Sequence, residues 1–519
     1  MSVSGKGSRI SERAEQPAAE LVLGIDAISP ARILRHPSIR ALRRGPVRRH
    51  RLSERFFDTA DRDFARQGFV VRIGQKARHW QQALEPLRPK IGLAAGVVPP
   101  AASLQKGAPD LARLAAACQV LGLAAPAKDL ELAFERHSET TEFLLELTDQ
   151  SQLLVQLRVG ESSLGSRSHA FSELTLRHLA GDAERLFDVA LELAKTLPLT
   201  LLPWSSVGQG LELGAGTHQL HAEHRPADTQ SPKPARSALK ALSELGQSAQ
   251  QELVRTAPQT VRGTDPEDIH RTRLLLRQMR LALDWLARTG SPGRYASVGE
   301  ALGQFYQSLG RARDWTVFAE HLASDSMDTA ESASRPYWIE AARTHRDAEC
   351  EEARKRLGMP AFTGLMIEVA REFARAGLET SARDERWLAR RLAKRLAKDD
   401  LALRRSLKDL PERPQREQHT ARRLARKMRD EVQLLVSIGH SRGEKRYRDQ
   451  LARLQGALGE LNDWARARAL ADQIHTDDGA LLAVWIETAR RKALARAGRA
   501  ALRFEKHDEA KTLSAKRKG

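Results

Sequence analysis

The chain has 519 residues, 41% apolar and only 5% aromatic, which suits helices built on Leu and Ala better than an aromatic-rich β-sandwich and allows two or three domains. Its net charge of +19 is unevenly placed: residues 1–230 hold 29 Lys and Arg against 26 Asp and Glu, residues 231–519 hold 56 against 40. That surplus points to a polyanionic partner of the second half, and two cysteines, Cys118 and Cys350, exclude a disulfide framework and fit a reducing compartment.

Residues 1–18 are polar, lack an apolar stretch of the secretory kind, and read as a disordered lead. The least charged run, Ile91 to Leu104, is too short and too rich in Gly and Pro to span a bilayer, so a cytoplasmic protein with no membrane partner is expected. From 19 to 213 the pattern is mixed. Alternating runs at Phe69–Ile73, Phe143–Leu147 and Leu153–Leu157 predict strands, with a hairpin turn at Thr148–Ser151 and helices near Pro109–Leu123 and Asp182–Leu197. This is an α+β pattern with a largely antiparallel sheet. Residues 214–236, with Pro226, Pro232 and Pro234, read as a linker. Beyond it the chain predicts long helices: Ser237–Thr256, one opened by Thr264-Asp265-Pro266-Glu267, a basic helix over Arg383–Leu410, and one from Ala465 to about Phe504. Residues 506–519 form a lysine-rich tail.

Within this helical half a pattern recurs after 149 residues. The first copy is His270, Arg273, Arg277 and Arg280, followed by Leu309-Gly310 and Arg313-Asp314-Trp315; the second is His419, Arg422, Arg426 and Arg429, followed by Leu458-Gly459 and Asn462-Asp463-Trp464. At about 100° per residue each ladder occupies one stripe roughly 80° wide. Leu275, Met279, Ala282 and Leu286 lie opposite, matched by Leu424, Met428, Val432 and Leu435. A single basic stripe is ordinary on a surface helix. This one is uniform in sign, carries arginine at all six non-histidine places, and is repeated. Those features favour planar recognition of oxyanions, with paired hydrogen bonds to phosphate oxygens. Neither histidine lies in a metal-ligand cluster. Gly310 and Gly459 suit a bend or a close backbone approach, and the tryptophans suit helix packing. Asp314 and Asp463 read as helix caps in preference to carboxylates that orient an arginine.

The repeat resembles the CHAD family, the conserved-histidine α-helical domain, over residues 237–505, with repeat 1 at about 237–375 and repeat 2 at about 376–505. The resemblance implies two similar helical bundles related by a pseudo-twofold axis, binding of inorganic polyphosphate, and association with polyphosphate granules. It places His270, Arg273, Arg277, Arg280, His419, Arg422, Arg426 and Arg429 toward the ligand, with Lys427 and Arg313 as secondary candidates.

The first part resembles a CYTH domain, an antiparallel β-barrel or tunnel that acts on triphosphates. The carriers are Phe57-Asp58-Thr59, Gly68–Arg72, Ser172–Leu176 and Ser205–Gly210. An active member opens with Glu-x-Glu-x-Lys, whereas here only Glu20 survives in Ala18–Val22. The family's further places hold Gly74, Glu85, Thr175, Ser206 and Gln209. Glu20, Arg72 and Glu173 would be the remains of a metal and phosphate site that needs its charges together, so this domain is expected to be a scaffold without hydrolysis. The reading is a non-enzymatic polyphosphate-binding protein without a cofactor or metal, for which nucleic acid is a non-specific competitor. A metal-dependent triphosphatase and a nucleic-acid-binding protein are the alternatives.

Overall fold

The computed structural model describes residues 19–506 apart from 26–27, 77–78, 88–101, 105–107, 125–128, 203–205, 215–237, 289–291, 325–333, 377–381, 438–444 and 477. The lead, nearly all of the linker, the tail beyond Lys506 and most of Ile91–Leu104 therefore lie outside the described residues. The chain divides into two compact units, Met1–Asp228 with Met359–Leu378, and Thr229–Gly358 with Glu379–Gly519.

Among the described residues the first unit is built on nine antiparallel strands: β1 Glu20–Gly24, β2 Arg43–Asp58, β3 Phe69–Lys76, β4 His79–Pro86, β5 Ala102–Leu104, β6 Glu131–Glu146, β7 Gln152–Leu164, β8 Arg167–Ala180 and β9 Thr200–Leu201. They pair in the order β5-β4-β3-β2-β6-β7-β8-β1-β9. The three predicted strands fall in β3, β6 and β7. The predicted turn is present too: Leu147 N donates to Ser151 O at 2.9 Å, and Asp149 accepts from Ser151 N at 3.1 Å.

Period-two alternation gives the sheet two different faces. One is apolar, with Leu21, Leu23, Val155, Leu157, Leu174 and Leu176 buried. Helices α1 Pro30–Leu34, α2 Pro37–Leu42, α3 Asp63–Arg66, α4 Leu111–Leu121, α5 Arg185–Ala194 and α6 Ser206–Glu212 complete the N-terminal part of the unit. Helix α4 begins on Asp110, whose side chain accepts from Arg113 N, and ends on left-handed Gly122; its Leu114 and Cys118 pack with Phe64, Val71 and Leu84. The other face is polar yet buried, holding Glu54, Arg136, Ser138, Thr140, Gln156, Glu173 and Thr175. Helix α6 packs Val207 and Leu211 with the stacked pair Phe56–Phe134. A Cβ on Gly210 would stand 2.3 Å from the Phe134 ring, so only glycine allows this approach. A buried polar sheet face fits the CYTH-like tunnel.

The second unit contains α7 Ala238–Arg262, α8 Pro266–Leu286, α9 Pro292–Ser308, α10 Gly310–Ala323 and α11 Arg335–Leu357, then α13 Ala382–Leu407, α14 Gln415–Ser437, α15 Lys445–Ala471 and α16 Gly479–Glu505. The offset of 149 maps α8 onto α14, the α9–α10 pair onto α15, and α11 onto α16. The repeats meet through α10 against α15 and α7 against α13.

Two expectations are corrected. Residues 465–504 are not one helix, since α15 ends at Ala471 and α16 begins at Gly479. Repeat 1 was expected to run to about 375, but α12, Pro360–Ala376, belongs to the first unit. It buries Phe362, Met366, Ile367 and Phe373, while Thr363 Oγ1 donates to Leu199 O at 2.8 Å and Arg371 Nη1 lies 3.3 Å from Asp188. An amphipathic helix shows which face it buries but not which domain supplies the partner. Among the described residues no helix is long and apolar enough to cross a membrane.

Candidate functional site

Helix α8 starts where expected. Asp265 accepts from Glu267 N, Pro266 occupies the first turn, and Glu267 and Asp268 complement the helix dipole. Ile269, Thr272, Leu276, Met279, Leu283 and Leu286 form its buried side, and Leu275 is only half-buried. Helix α14 buries Ala421, Ala425, Met428 and Val432, with Leu424 half-buried. His270, Arg273, Arg277, Arg422 and Arg426 are half-buried, whereas Arg280, His419 and Arg429 are exposed. Most of the two ladders is thus enclosed by neighbouring helices.

They converge on one another. Arg277 Nη2 of α8 lies 3.6 Å from Asp430 Oδ1 of α14. The Arg273 guanidinium sits 4.5 Å over the Tyr306 ring of α9, and its Nη1 donates to the carbonyls of Leu309 and Gly310 at 3.4 and 3.2 Å. Burial pushes the Tyr306 hydroxyl up, but Arg273, Arg426 and Arg277 outweigh it and hold the phenol below its ordinary value. Guanidiniums from both repeats therefore act on one oxygen. Burial first, then Arg426 and Arg466, bring Arg422 down to about 10 against the opposing pull of Asp463 and Tyr306. His270 is also lowered, by burial and then by Arg313, Arg273 and Arg277. Among the described residues, Arg426 Nε is buried with no hydrogen-bond partner. Depressed basic groups and an unmet donor describe a cluster whose mutual repulsion an anion would relieve.

Residues 244–472 match the family described as CHAD domain. The chain carries a CHAD domain. The crystal structure of the CHAD domain from the plant Ricinus communis is similar at 22% identity and a TM-score of 0.41, covering 54% of this chain and 93% of that one. A putative adenylyl cyclase from Hippeastrum, described as having a dominant triphosphatase activity, is similar at 14% identity and a TM-score of 0.26, covering 37% of this chain and 95% of that one. No curated protein matches the chain.

The two copies within the CHAD domain are not equivalent. His270 stands beside Arg313, whose Nη1 is 3.7 Å from Glu267. His419 instead shares a 2.9 Å hydrogen bond between its Nδ1 and the side-chain oxygen of Asn462, the counterpart of Arg313. Arg280 lies across α9, its Nη1 3.1 Å from where a Cβ on Gly303 would be. Arg429 donates to Gln455 at 2.7 Å, and Gln455 is the counterpart of Tyr306. Lys427, the other secondary candidate, has its Nζ 2.5 Å from Asp399 on α13. Tyr306, Asp430 and Arg466 were missed by sequence reasoning, because none repeats at the offset of 149.

Trp315 is buried and stacks on His345 at 4.3 Å, while Trp464 stacks on His321 at 4.4 Å, as helix packing requires. The preference for capping by Asp314 and Asp463 is corrected. Asp314 lies inside α10 and contacts Arg466 of the other repeat, and Asp463 acts on Arg422. Leu309-Gly310 breaks a helix, but Leu458-Gly459 runs through α15 unbroken. A Cβ on either glycine would meet nothing within 4 Å, so neither serves a close approach.

A carboxyl pair behind α14 gives the CHAD domain a pH dependence. Burial and the adjacent Asp399 raise Glu431 to about 7, against the opposing pull of Lys427 and Arg395. A carboxyl raised on folding contributes stability that is complete below its unfolded value of 4.5 and lost as pH rises through about 7. The shift corresponds to about 3 kcal/mol. Glu431→Gln should therefore raise the melting temperature at pH 8 and leave it nearly unchanged at pH 5. Equal destabilisation at both pH values would contradict that assignment.

In the first unit the polar sheet face holds an ion network instead of an open set of ligands. Arg136 Nη2 lies 2.6 Å from Glu54 Oε2, and these side chains are 1% and 4% exposed. Arg72 reaches Glu54 at 3.0 Å and Glu85 at 3.1 Å. Arg158 meets Glu173 at 3.4 Å, and Arg177 meets Glu20 at 3.1 Å. Burial would raise Glu54, but Arg136, Arg72 and Arg158 hold it at about 2. The vestigial metal candidates Glu20 and Glu173 are each paired with an arginine and lie four positions apart along the β1–β8 ladder, so they do not fit a shared divalent cation. Glu54, Arg136 and Arg158 were not singled out from the sequence; alternation within β2, β6 and β7 was the only signal available.

Proposed function

We infer that the CHAD domain binds inorganic polyphosphate without chemical conversion, through the cationic cluster around Tyr306. One observation carries this: the two basic helices face one another, with Arg277 of one ladder 3.6 Å from Asp430 on the helix of the other and Arg273 4.5 Å over the Tyr306 ring. A phosphate string lying there would accept from guanidiniums of both repeats and give Arg426 Nε its missing acceptor. Association with polyphosphate granules follows from the same affinity. Nucleic acid shares the phosphates, but Tyr306 is the aromatic ring of this cluster and the Arg273 guanidinium lies over it, which leaves little platform for base stacking. Nucleic acid is accordingly assigned the role of a displaceable competitor.

Binding by at least four guanidiniums should be steeply salt-dependent. By analogy with single-stranded nucleic acids, log affinity should fall with log salt at a slope of about 3. Titration with long-chain polyphosphate at two ionic strengths measures this; absent or salt-indifferent binding refutes the reading.

The second reading is a triphosphatase in the first unit. Its support is the polar sheet face, where Ser138 Oγ, Thr140 Oγ1, Ser162 Oγ and Arg158 Nε are buried without partners among the described residues. Against it, Arg72 and Arg136 are already neutralised by Glu54 and Glu85. Phosphate release from tripolyphosphate with Mg²⁺ or Mn²⁺, abolished by Glu20→Gln, distinguishes it from pure binding.

A further inference from the structure

The most concentrated charge of the first unit lies along one strand edge and the two short helices before it. Residues 30–53 contain eight arginines and no Asp or Glu. Without those eight, the other 21 Lys and Arg of residues 1–230 stand against 26 Asp and Glu, so this short segment is a positive island in an otherwise acidic unit. Its residues form α1, α2 and the first two-thirds of β2, where Arg40, Arg44, Arg48, Arg49 and Arg51 are all exposed.

Ordinary pairing does not account for them. Among the described residues, the side chains of Arg40, Arg48, Arg49 and Arg51 make no hydrogen bond or ion pair, although Arg55 further along β2 pairs with Glu135 at 3.1 Å. The nearest acids are the register partners on β6, Glu142 opposite Arg48 and Glu139 opposite Arg51. Glu142 already lies 3.9 Å from His50, and neither acid comes within ion-pair distance of these arginines. The backbone is open too. Strand β3 pairs with β2 only through Glu54–Phe57, so Arg43–Ser53 has β6 on one side and no other strand among the described residues. Between Arg44 and Arg48 the register shifts, with Gly45 at φ +70° and Pro46 next to it. Glycine is needed there because the left-handed backbone excludes a side chain. A bulge of this kind twists a strand edge and keeps it from pairing with another chain.

We propose that this edge of β2, with the adjoining α2, is a second and independent binding surface for inorganic polyphosphate. Arg48 projects to the side of the polar sheet face, as Glu54 does, and Arg49 and Arg51 to the opposite side, so guanidiniums flank the open edge on both faces. A flexible polyanion running along that edge meets charge from each side. The segment holds no Phe, Tyr or Trp to stack on bases, and Ile33 and Ile39 are buried instead of offered to a bilayer. A phosphate polymer without bases or acyl chains is the ligand this composition favours. The inference rests on the preceding reading for the identity of the ligand, but not for the surface that holds it.

The test uses the full chain with Arg48→Gln, Arg49→Gln and Arg51→Gln combined, titrated with long-chain polyphosphate across a salt series. These side chains are exposed, so an unchanged melting curve serves as the folding control. The salt slope should fall by about 2, at roughly 0.7 per cation removed. An unchanged slope and affinity overturns the proposal. So does a loss confined to an RNA homopolymer or to anionic phospholipid vesicles, with polyphosphate binding intact. Arg277→Gln with Arg426→Gln, assayed in parallel, reports on the CHAD cluster alone. If that pair leaves binding unchanged while the β2 triple weakens it, the CHAD reading fails and this one stands; the reverse result sinks only this one.

Discussion

Replacing Arg277 and Arg426 together by glutamine should weaken binding of long-chain polyphosphate by about 100-fold at physiological salt. Each guanidinium lost removes a charge-assisted hydrogen bond worth about 1.5–3 kcal/mol, and 1.4 kcal/mol is a tenfold change. The pair is chosen because neither side chain supports the backbone, in contrast to Arg273, which donates to the Leu309 and Gly310 carbonyls. Both residues act on Tyr306 and on Asp430, so a double-mutant cycle should show coupling and not simple addition. Lys427→Gln is the matched control: it also removes a cation from α14, but one held by Asp399, and binding should stay within about twofold. Calorimetric or fluorescence titration of the five proteins (wild type, both single variants, the double and Lys427→Gln) checks the set. Equal losses from Lys427→Gln and from the arginine pair would show that general charge matters and the cluster around Tyr306 does not.

Arg136→Met should destabilise the first unit by about 3–5 kcal/mol, the range for breaking a buried ion pair from one side. The variant leaves Glu54 charged, 4% exposed and short of its closest partner. Glu54→Leu added to Arg136→Met should recover part of the loss, because an apolar pair removes the uncompensated charge. Hydrogen exchange along β6 reads this unit separately from the CHAD domain. The same contact sets an acid limit. Glu54 is held at about 2 in the folded protein against an ordinary 4.5, so its contribution is complete above pH 4.5 and lost as pH falls toward 2. That shift corresponds to about 3 kcal/mol. An acid unfolding curve for the first unit that Glu54→Gln does not alter would refute the assignment.

These sites differ in how far they can be read along the chain. The ladders are legible because a helix places residues three and four apart on one face, so His270, Arg273 and Arg277 declare a stripe before any tertiary contact is known. The cap on α8 and the β6–β7 turn are legible for the same local reason. Tyr306 is not: its significance comes from Arg273, Arg277 and Arg426 arriving from two helices, and its counterpart is Gln455. Lys427 shows the converse, since it is next to Arg426 in sequence while its Nζ lies 2.5 Å from Asp399 on another helix.

The amino-acid sequence alone determined the order of α+β and helical parts, the internal repeat and the cationic faces. All of these follow from residue chemistry at short spacing. Only the tertiary structure decided that α12 completes the sheet unit, that Asp314 and Asp463 act on arginines instead of helix ends, and that Glu85 turns to Arg72. It also set Arg277 of one ladder helix against Asp430 of the other. The physical reason is that burial and electrostatic pairing depend on distance in space, and here the partners lie from 13 to more than 180 residues apart along the chain.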